Sequence, residues 1–341
     1  MERSWDRVHA FKRLDRGEIE GLVQPAELGR VRLAEPLSAG LRNTNYRLSF
    51  ESGRNAVLRL YVADPSACGR EAAILRLLAR AVPAPGVVYA DPGALPPFAL
   101  LEWLEGTPLD EVLGAAAADE AVEIAAACGG ALAAIHRVRF GAAGFLGPDL
   151  AVERPMPPWA EAIGFELAGA APLLGARMAA AVAGLVAARR EEVEAVWRRE
   201  PVLVHADFKP WNLLFSSGAV GAGSASRGPG VPGAAGRASV PGDASTGHWR
   251  LTGAVDWEFA CSGCRLIDFG TFLRDLGSRP LGYGEAFSEA YVAAGGLLPA
   301  EWRRLTLLVD LLSLLQMAGR SAGRATDDLR RLIETTVASV G

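Results

Sequence analysis

The sequence predicts an α+β chain in two lobes, a small β-rich N-terminal lobe over residues 1–104 and a larger, mainly helical C-terminal lobe over residues 105–341. Three observations lead there. Apolar residues alternate with a period of two between positions 31 and 62, as in half-buried strands. Beyond Gly106 the chain turns Ala-rich and its apolar spacing lengthens to that of a helix. In VLVHADFKPWNLLF, residues 202–215, an apolar strand, a polar loop and a second apolar strand follow one another.

The elements can be justified in order. Tyr46, Leu48 and Phe50 share a strand face, and after the turn ESGRN the run AVLRLYV resumes as the second arm of a hairpin. Residues 68–80 have helical spacing in Ile74, Leu77 and Leu78, and GVVYA and FALLEWL read as two further strands. In DEAVEIAAACGGALAAIH the residues Ile124, Cys128, Ala131 and Ile135 recur at steps of four, three and four, which predicts a helix. NLLF and WRLTGAVDW read as two strands able to pair. Between them, residues 217–247 are so rich in Gly, Ala, Ser and Pro that they bury too little apolar surface to offset their ordering entropy. That insert is expected to be a disordered, expanded hairpin turn without chemistry of its own.

Composition excludes several functions. A formal charge of -4 gives no basic field for a nucleic-acid backbone. The N-terminus lacks the apolar core of a secretory signal. The apolar stretch at 305–317 is interrupted by Asp310 and falls short of the ~20 residues that span a bilayer, so no membrane partner and a cytoplasmic location are expected. Cys68, Cys128, Cys261 and Cys264 are too scattered for a disulfide framework, and the CxxC pair Cys261/Cys264 lacks two further zinc ligands at suitable spacing. No GxxxxGK[ST] or GxGxxG follows a strand.

The segment HADFKPWN has the spacing HxDxxxxN. Phosphoryl transfer needs a carboxylate to accept the proton of the attacking hydroxyl and an amide oxygen to help hold Mg²⁺ against the nucleotide phosphates. Asp207 and Asn212 can present both from one short turn. Asp256 ends the apolar strand of LTGAVDW and, with the insert set aside, follows Asn212 by a short hairpin, so it can complete the metal site. Alone, HxDxxxxN also describes a polar turn with Asp207 as a cap; the downstream Asp favours the catalytic alternative.

Together, HADFKPWN and VDWE resemble the catalytic and metal-binding motifs of the aminoglycoside phosphotransferase and choline kinase-like family. The resemblance implies a protein-kinase-like fold, ATP with Mg²⁺, and phosphorylation of a hydroxyl on a small molecule such as an aminoglycoside, amino alcohol or sugar-like compound. In that frame Asp207 matches the catalytic base, and Asn212 and Asp256 the metal ligands. Lys209 would neutralise the transferred phosphoryl group. Trp211 is expected to pack the loop, and His205 and His136 to hold geometry. A catalytically silent, nucleotide-binding relative is the alternative, which the joint presence of Asp207, Asn212 and Asp256 disfavours. No APE-type segment follows Asp256, which argues against a peptide substrate. Asp268, Phe269 and Gly270 spell DFG, but Asp268 resembles the family's downstream structural Asp rather than its metal ligand.

The upper lobe should then supply a cation on a strand for the α- and β-phosphates. Lys12 and Lys209 are the chain's lysines and neither fits; Arg59 in AVLRLY does, with Val57 on the same face to roof the adenine. Glu71 in GREAAILRLL matches the acid that orients this cation. The loop SAGLRNTNY sits where a phosphate-covering flap belongs, with Asn43 among its short polar side chains. FALLEWLEG resembles the lobe linker, whose main chain near Glu102 and Leu104 would bind the adenine edge. Asp149, Glu153, Glu161, Glu166 and Glu258 are candidates to receive a cationic acceptor, or are solvated helix faces.

Overall fold

A computed structural model describes residues 9–37, 42–217, 249–274, 276–320 and 325–341. The first helix, α1 (Arg16–Val23), opens with a capping box: the Glu18 N–H donates to Asp15 Oδ1 at 2.8 Å, and the Asp15 N–H donates to Glu18 Oε2 at 2.7 Å. Then come β1 (Val31–Leu37), β2 (Thr44–Phe50), β3 (Asn55–Leu60), α2 (Ala67–Leu78), β4 (Val87–Asp91) and β5 (Phe98–Glu102). These strands form one antiparallel sheet in the order β1-β2-β3-β5-β4. Tyr46, Leu48 and Phe50 are buried on the face that meets Ile19 and Val23 of α1.

On α2 the apolar face differs from expectation: Leu75 is buried with Ile74 and Leu78, while Leu77 is 44% exposed. The helix packs against β4 and β5, and position 77 lies about 100° around the axis from 78, so it turns to solvent.

The pair β6 (Thr107–Pro108) leads into α3 (Leu109–Ala115) and α4 (Ala118–Ile135), followed by β7 (Gly144–Leu146), β8 (Val152–Pro155) and the long α5 (Trp159–Trp197). After β9 (Val202–Val204) the polar loop leads to β10 (Leu213–Ser217), β11 (Trp249–Ala254), β12 (Cys261–Gly263), α6 (Leu266–Leu273), α7 (Tyr283–Ala293), α8 (Trp302–Ala318) and α9 (Ala325–Val340). As the sequence suggested, β10 and β11 pair antiparallel, from Leu213↔Ala254 to Ser217↔Trp249. The insert expected over 217–247 lies outside the described residues apart from Ser217, which ends β10. A small β-sheet lobe and a larger helical lobe are therefore present, as predicted.

Among the described residues α5 is the helix long and apolar enough to cross a membrane by length and composition, a stretch longer than the one noted at 305–317. Gly175, at φ 75° and ψ 160°, breaks it. Its buried residues Ile163, Leu174, Val182 and Val193 share a core with Leu308, Leu311 and Leu315 of α8 and Ile333 of α9. Helix α8, holding the 305–317 stretch, is buried as expected, and Arg274 neutralises its Asp310 through contacts of 2.7 and 3.0 Å.

Helices α4 and α7 pack closely at Gly129, where an added Cβ would run into the main-chain carbonyl of Phe287. Backbone cannot yield as a flexible side chain can. Gly129→Ala should therefore destabilise the protein by about 1–3 kcal/mol, the usual range for overpacking. Urea unfolding of the two proteins measures it; equal midpoints and slopes would show that the helices part freely.

Candidate active site

One buried carboxylate organises the loop between β9 and β10. Asp268, in the first turn of α6, has no exposed surface and accepts the main-chain N–H groups of His205 and Ala206, each at 2.8 Å on separate oxygens. The His136 ring reaches the same carboxylate at 3.0 Å. A carboxylate only accepts, so His136 Nε2 carries the proton and Nδ1 accepts from the Tyr291 hydroxyl at 2.9 Å. Burial lowers the His136 pKa against the pull of Asp268. These bonds hold Ala206 at φ 62°, a left-handed conformation that costs a non-glycine residue on the order of 1 kcal/mol or more. In the same DFG triplet, Phe269 packs edge-on against Phe287, Tyr291 and Trp302, and Gly270 admits the side chain of Asp310.

His205 continues the anchoring. Its Nε2 lies 3.0 Å from the Val255 carbonyl, so it donates there, and its Nδ1 accepts the Asp207 N–H at 3.3 Å. Both ring nitrogens are engaged in joining the polar loop to the strand end that carries Asp256. The single turn at residues 210–212 then folds Asn212 back on Asp207: Asn212 Nδ2 donates to Asp207 Oδ2 at 2.8 Å and to its main-chain oxygen at 2.9 Å. Lys209 Nζ lies 2.8 Å from Asp207 Oδ1 and 5.0 Å from the centre of the Trp211 ring. The Asn212 carbonyl accepts the Val255 N–H at 2.9 Å, which sets Asp256 beside the loop.

Across the cleft, Arg59 on β3 is 7% exposed and faces three carboxylates. Its Nη2 donates to Asp256 Oδ1 at 2.5 Å and lies 3.7 Å from Glu258 Oε1; its Nε is 3.3 Å from Glu71 Oε2. Glu71, on α2, accepts the Tyr61 hydroxyl at 2.7 Å and the Trp257 N–H at 3.1 Å. Asp256, with φ 71° and a side chain one-third exposed, is pushed up by burial, but Arg59, His205 and Lys209 together outweigh that and hold it below the usual carboxylate range. Glu258 goes the other way: burial, then the charge of Asp256, raise it to about 7 against Arg59 and Arg42.

The other candidates divide. Val57 is half-buried two residues before Arg59 on β3 and pairs with Leu101. Leu104 is half-buried, and its side chain lies over Gly253 of β11, where a Cβ would collide with it. Glu102 is exposed, with its N–H donated to the Gly86 carbonyl at 2.7 Å. Asn43 is 3% exposed; its Nδ2 donates to Glu258 Oε2 at 2.8 Å and its Oδ1 accepts the Val62 N–H at 3.2 Å. Residues 38–41 of that loop lie outside the described residues. Glu258, suggested as a receiver for a cationic acceptor, is buried against Asn43, Arg42 and Arg59 and does not open to one. Asp149, Glu153 and Glu161 are exposed, and Glu166 accepts from Gln316 at 3.4 Å. Cys261 and Cys264 are buried thiols, pushed up by burial to about 12 and about 11.

Sequence reasoning missed how Tyr61 and Trp257 hold Glu71 and how Arg42 faces Glu258. Tyr61 lies two residues after Arg59, the spacing that puts side chains on one strand face, and so was open to notice. The Arg42–Glu258 approach joins positions 216 apart and had no local signal.

Comparison with known proteins bears on the family and the fold. The profile of the Phosphotransferase enzyme family matches residues 34–223 and 244–308. No curated protein matches the chain in sequence. Among solved structures, the GDP complex of a mutant aminoglycoside 2′-phosphotransferase-IIIa is similar at a TM-score of 0.64 and 16% identity, over 95% of this chain and 98% of that one. A thermostable mutant of aminoglycoside phosphotransferase APH(4)-Ia, in ternary complex with AMP-PNP and hygromycin B, gives 0.60 and 18%, over 94% and 96%. The apoenzyme of macrolide 2′-phosphotransferase MphH from Brachybacterium faecium gives 0.57 and 17%, over 95% and 97%. These likenesses show the shared fold.

The raised Glu258 has a consequence for stability. Its folded pKa, about 7, lies above its ordinary 4.5, so the folded protein binds the proton more tightly and loses stability as pH rises through that window. Asp256, held low, has the opposite sign: its contribution is full above the ordinary carboxylate range and fades as pH falls through its folded value. Urea unfolding of the metal-free protein between pH 4.5 and 7 should show a fall that Glu258→Gln flattens. Parallel profiles for the two proteins would contradict the assignment.

Proposed function

From the premise that the chain belongs to the phosphotransferase enzyme family and is a small-molecule kinase, we propose that it moves the γ-phosphate of ATP to a hydroxyl of a small molecule, with Asp207 as base. The observation that supports this reading is one hydrogen-bonded unit. Asn212 bonds to Asp207 through its side chain and to Val255 through its main chain, while Asp256, the next residue, is held by Arg59 from the opposite lobe.

The side chains present suit Mg²⁺. Asp256 is held in the ionised form, and Arg59 occupies Oδ1, so Oδ2 is the oxygen for a metal. Asn212 commits its Nδ2 to Asp207, which leaves its amide oxygen, a hard donor, for the same ion. Among the described residues no three His, Cys, Asp or Glu side chains form a metal cage. Two protein ligands accord with the habit of Mg²⁺, which keeps water and substrate phosphates in its shell. Held by these two side chains, Mg²⁺ would supply positive charge against the nucleotide phosphates.

The protein's own groups do the rest. Asp207 accepts the acceptor's hydroxyl proton on a carboxylate that Lys209 and Asn212 hold in place. Lys209 sets a positive charge beside that oxygen, where the phosphoryl group passes. Arg59, oriented by Glu71, holds the α- and β-phosphates; Val57 roofs the adenine, and the main chain from Glu102 to Leu104 reads its edge. We place the acceptor in the cleft beside the catalytic loop that Lys209, Trp211, Arg274, Arg279 and Met317 line. The solved relatives whose names specify aminoglycosides and macrolides give the first compounds to try, followed by amino alcohols and sugar-like alcohols.

ADP release measured across such acceptors tests the activity. Asp207→Ala should lower turnover by roughly 10²–10⁴-fold, the range for removing a general base, while Mg·ATP binding persists. Asp256→Ala should abolish the Mg²⁺ dependence of nucleotide affinity. Near-normal turnover in Asp207→Ala would remove that residue from the chemistry.

A further inference from the structure

We infer that Arg42 is a second phosphate-binding cation of the nucleotide site, beside Arg59; this rests on the nucleotide-binding reading above. Arg42 precedes β2, on the loop where Asn43 was the expected nucleotide contact. Asn43 is unsuited to that task, because its amide is buried and both ends are engaged, by Glu258 and by the Val62 N–H. Its neighbour differs. The Arg42 side chain is 29% exposed, and its guanidinium lies over the Phe259 ring at 5.0 Å from the centroid. Its Nε is buried, 3.7 Å from Glu258 Oε1, beyond hydrogen-bond range and without a hydrogen-bond partner.

A guanidinium carries five donors in a rigid fork suited to two oxygens of a phosphate. Here one face rests on an aromatic ring and the Nε edge faces a carboxylate too distant to take its proton. That arrangement fixes the orientation of the group without satisfying its donors. Glu258 lies 3.7 Å from Arg59 Nη2 and 3.7 Å from Arg42 Nε through the same oxygen, Oε1, so the two guanidinium groups flank one point. Arg59 already contacts Asp256. Two guanidinium groups offer donors to an anion of several oxygens once Mg²⁺ offsets the carboxylates of Asp256, Glu71 and Glu258, and a nucleotide's polyphosphate is the anion proposed for this site.

The proposal separates phosphate recognition from base recognition, and binding affinities can read that difference. Adenosine, AMP, ADP and a non-hydrolysable ATP analogue, with Mg²⁺, would be titrated into the wild type, Arg42→Ala and Arg42→Lys by calorimetry. For Arg42→Ala we expect adenosine affinity unchanged and ATP-analogue affinity down by about tenfold or more, as for loss of a charge-assisted hydrogen bond, with the deficit growing along the series. Arg42→Lys should recover part of it, since lysine keeps the charge and loses the fork. Equal affinities of wild type and Arg42→Ala for the ATP analogue would overturn the inference. So would an equal loss for adenosine and the analogue, which would mark a merely structural residue. If the wild type bound none of the series, the nucleotide reading itself would fail, and this inference with it.

Discussion

A guanidinium almost without access to water is not tolerated unless anions meet it, and Arg59 is met by three. Burial alone would lower its pKa, but Glu71, Asp256 and its other partners together outweigh that, and it remains charged. The partners come from different parts of the fold: Glu71 from α2 in the β-sheet lobe, Asp256 and Glu258 from the chain beyond β11. Three successive residues, Asp256, Trp257 and Glu258, thus dock on the upper lobe through a side chain, a main-chain N–H and a side chain. Taking away Arg59 would leave its buried carboxylates uncompensated, at a penalty of about 3–5 kcal/mol. The contact that joins the lobes also sets the carboxylate proposed to hold the metal.

The other half of the site hangs from Asp268. By collecting the N–H groups of His205 and Ala206 it fixes a loop with a left-handed residue, and the His205 ring carries that constraint across to Val255. Asp207 and Asp256 are therefore tied to one another through hydrogen-bonded main chain, independently of any ligand. Preorganisation of this kind lets electrostatics act on phosphoryl transfer without reorganising the protein.

Much of this was legible because the signals were local. The alternation of Tyr46, Leu48 and Phe50, the pairing of NLLF with LTGAV, and the spacing from Asp207 to Asn212 each depend on a few neighbouring residues. What escaped depended on distant packing. Leu77 and Leu75 are equally apolar, and the position of β4 and β5 decides which is buried. The strands β6, β7 and β12 are two or three residues long, with too few positions to show a period. Glu258 read as a candidate for a cationic acceptor because sequence carries no sign of the Arg42 and Asn43 side chains that enclose it. By contrast, Asp15 and Glu18 in the run DRGE did spell the capping box of α1, a signal that lay in view.

A crystal structure with Mg²⁺ and a non-hydrolysable ATP analogue would decide whether residues 207, 212 and 256 serve one nucleotide. The expected result is a metal at about 2.1 Å, the usual Mg–O distance, from side-chain oxygens of both Asn212 and Asp256, with the Asp207 carboxylate facing the terminal phosphate. A nucleotide whose metal lies away from both side chains, or whose terminal phosphate points away from Asp207, would contradict it.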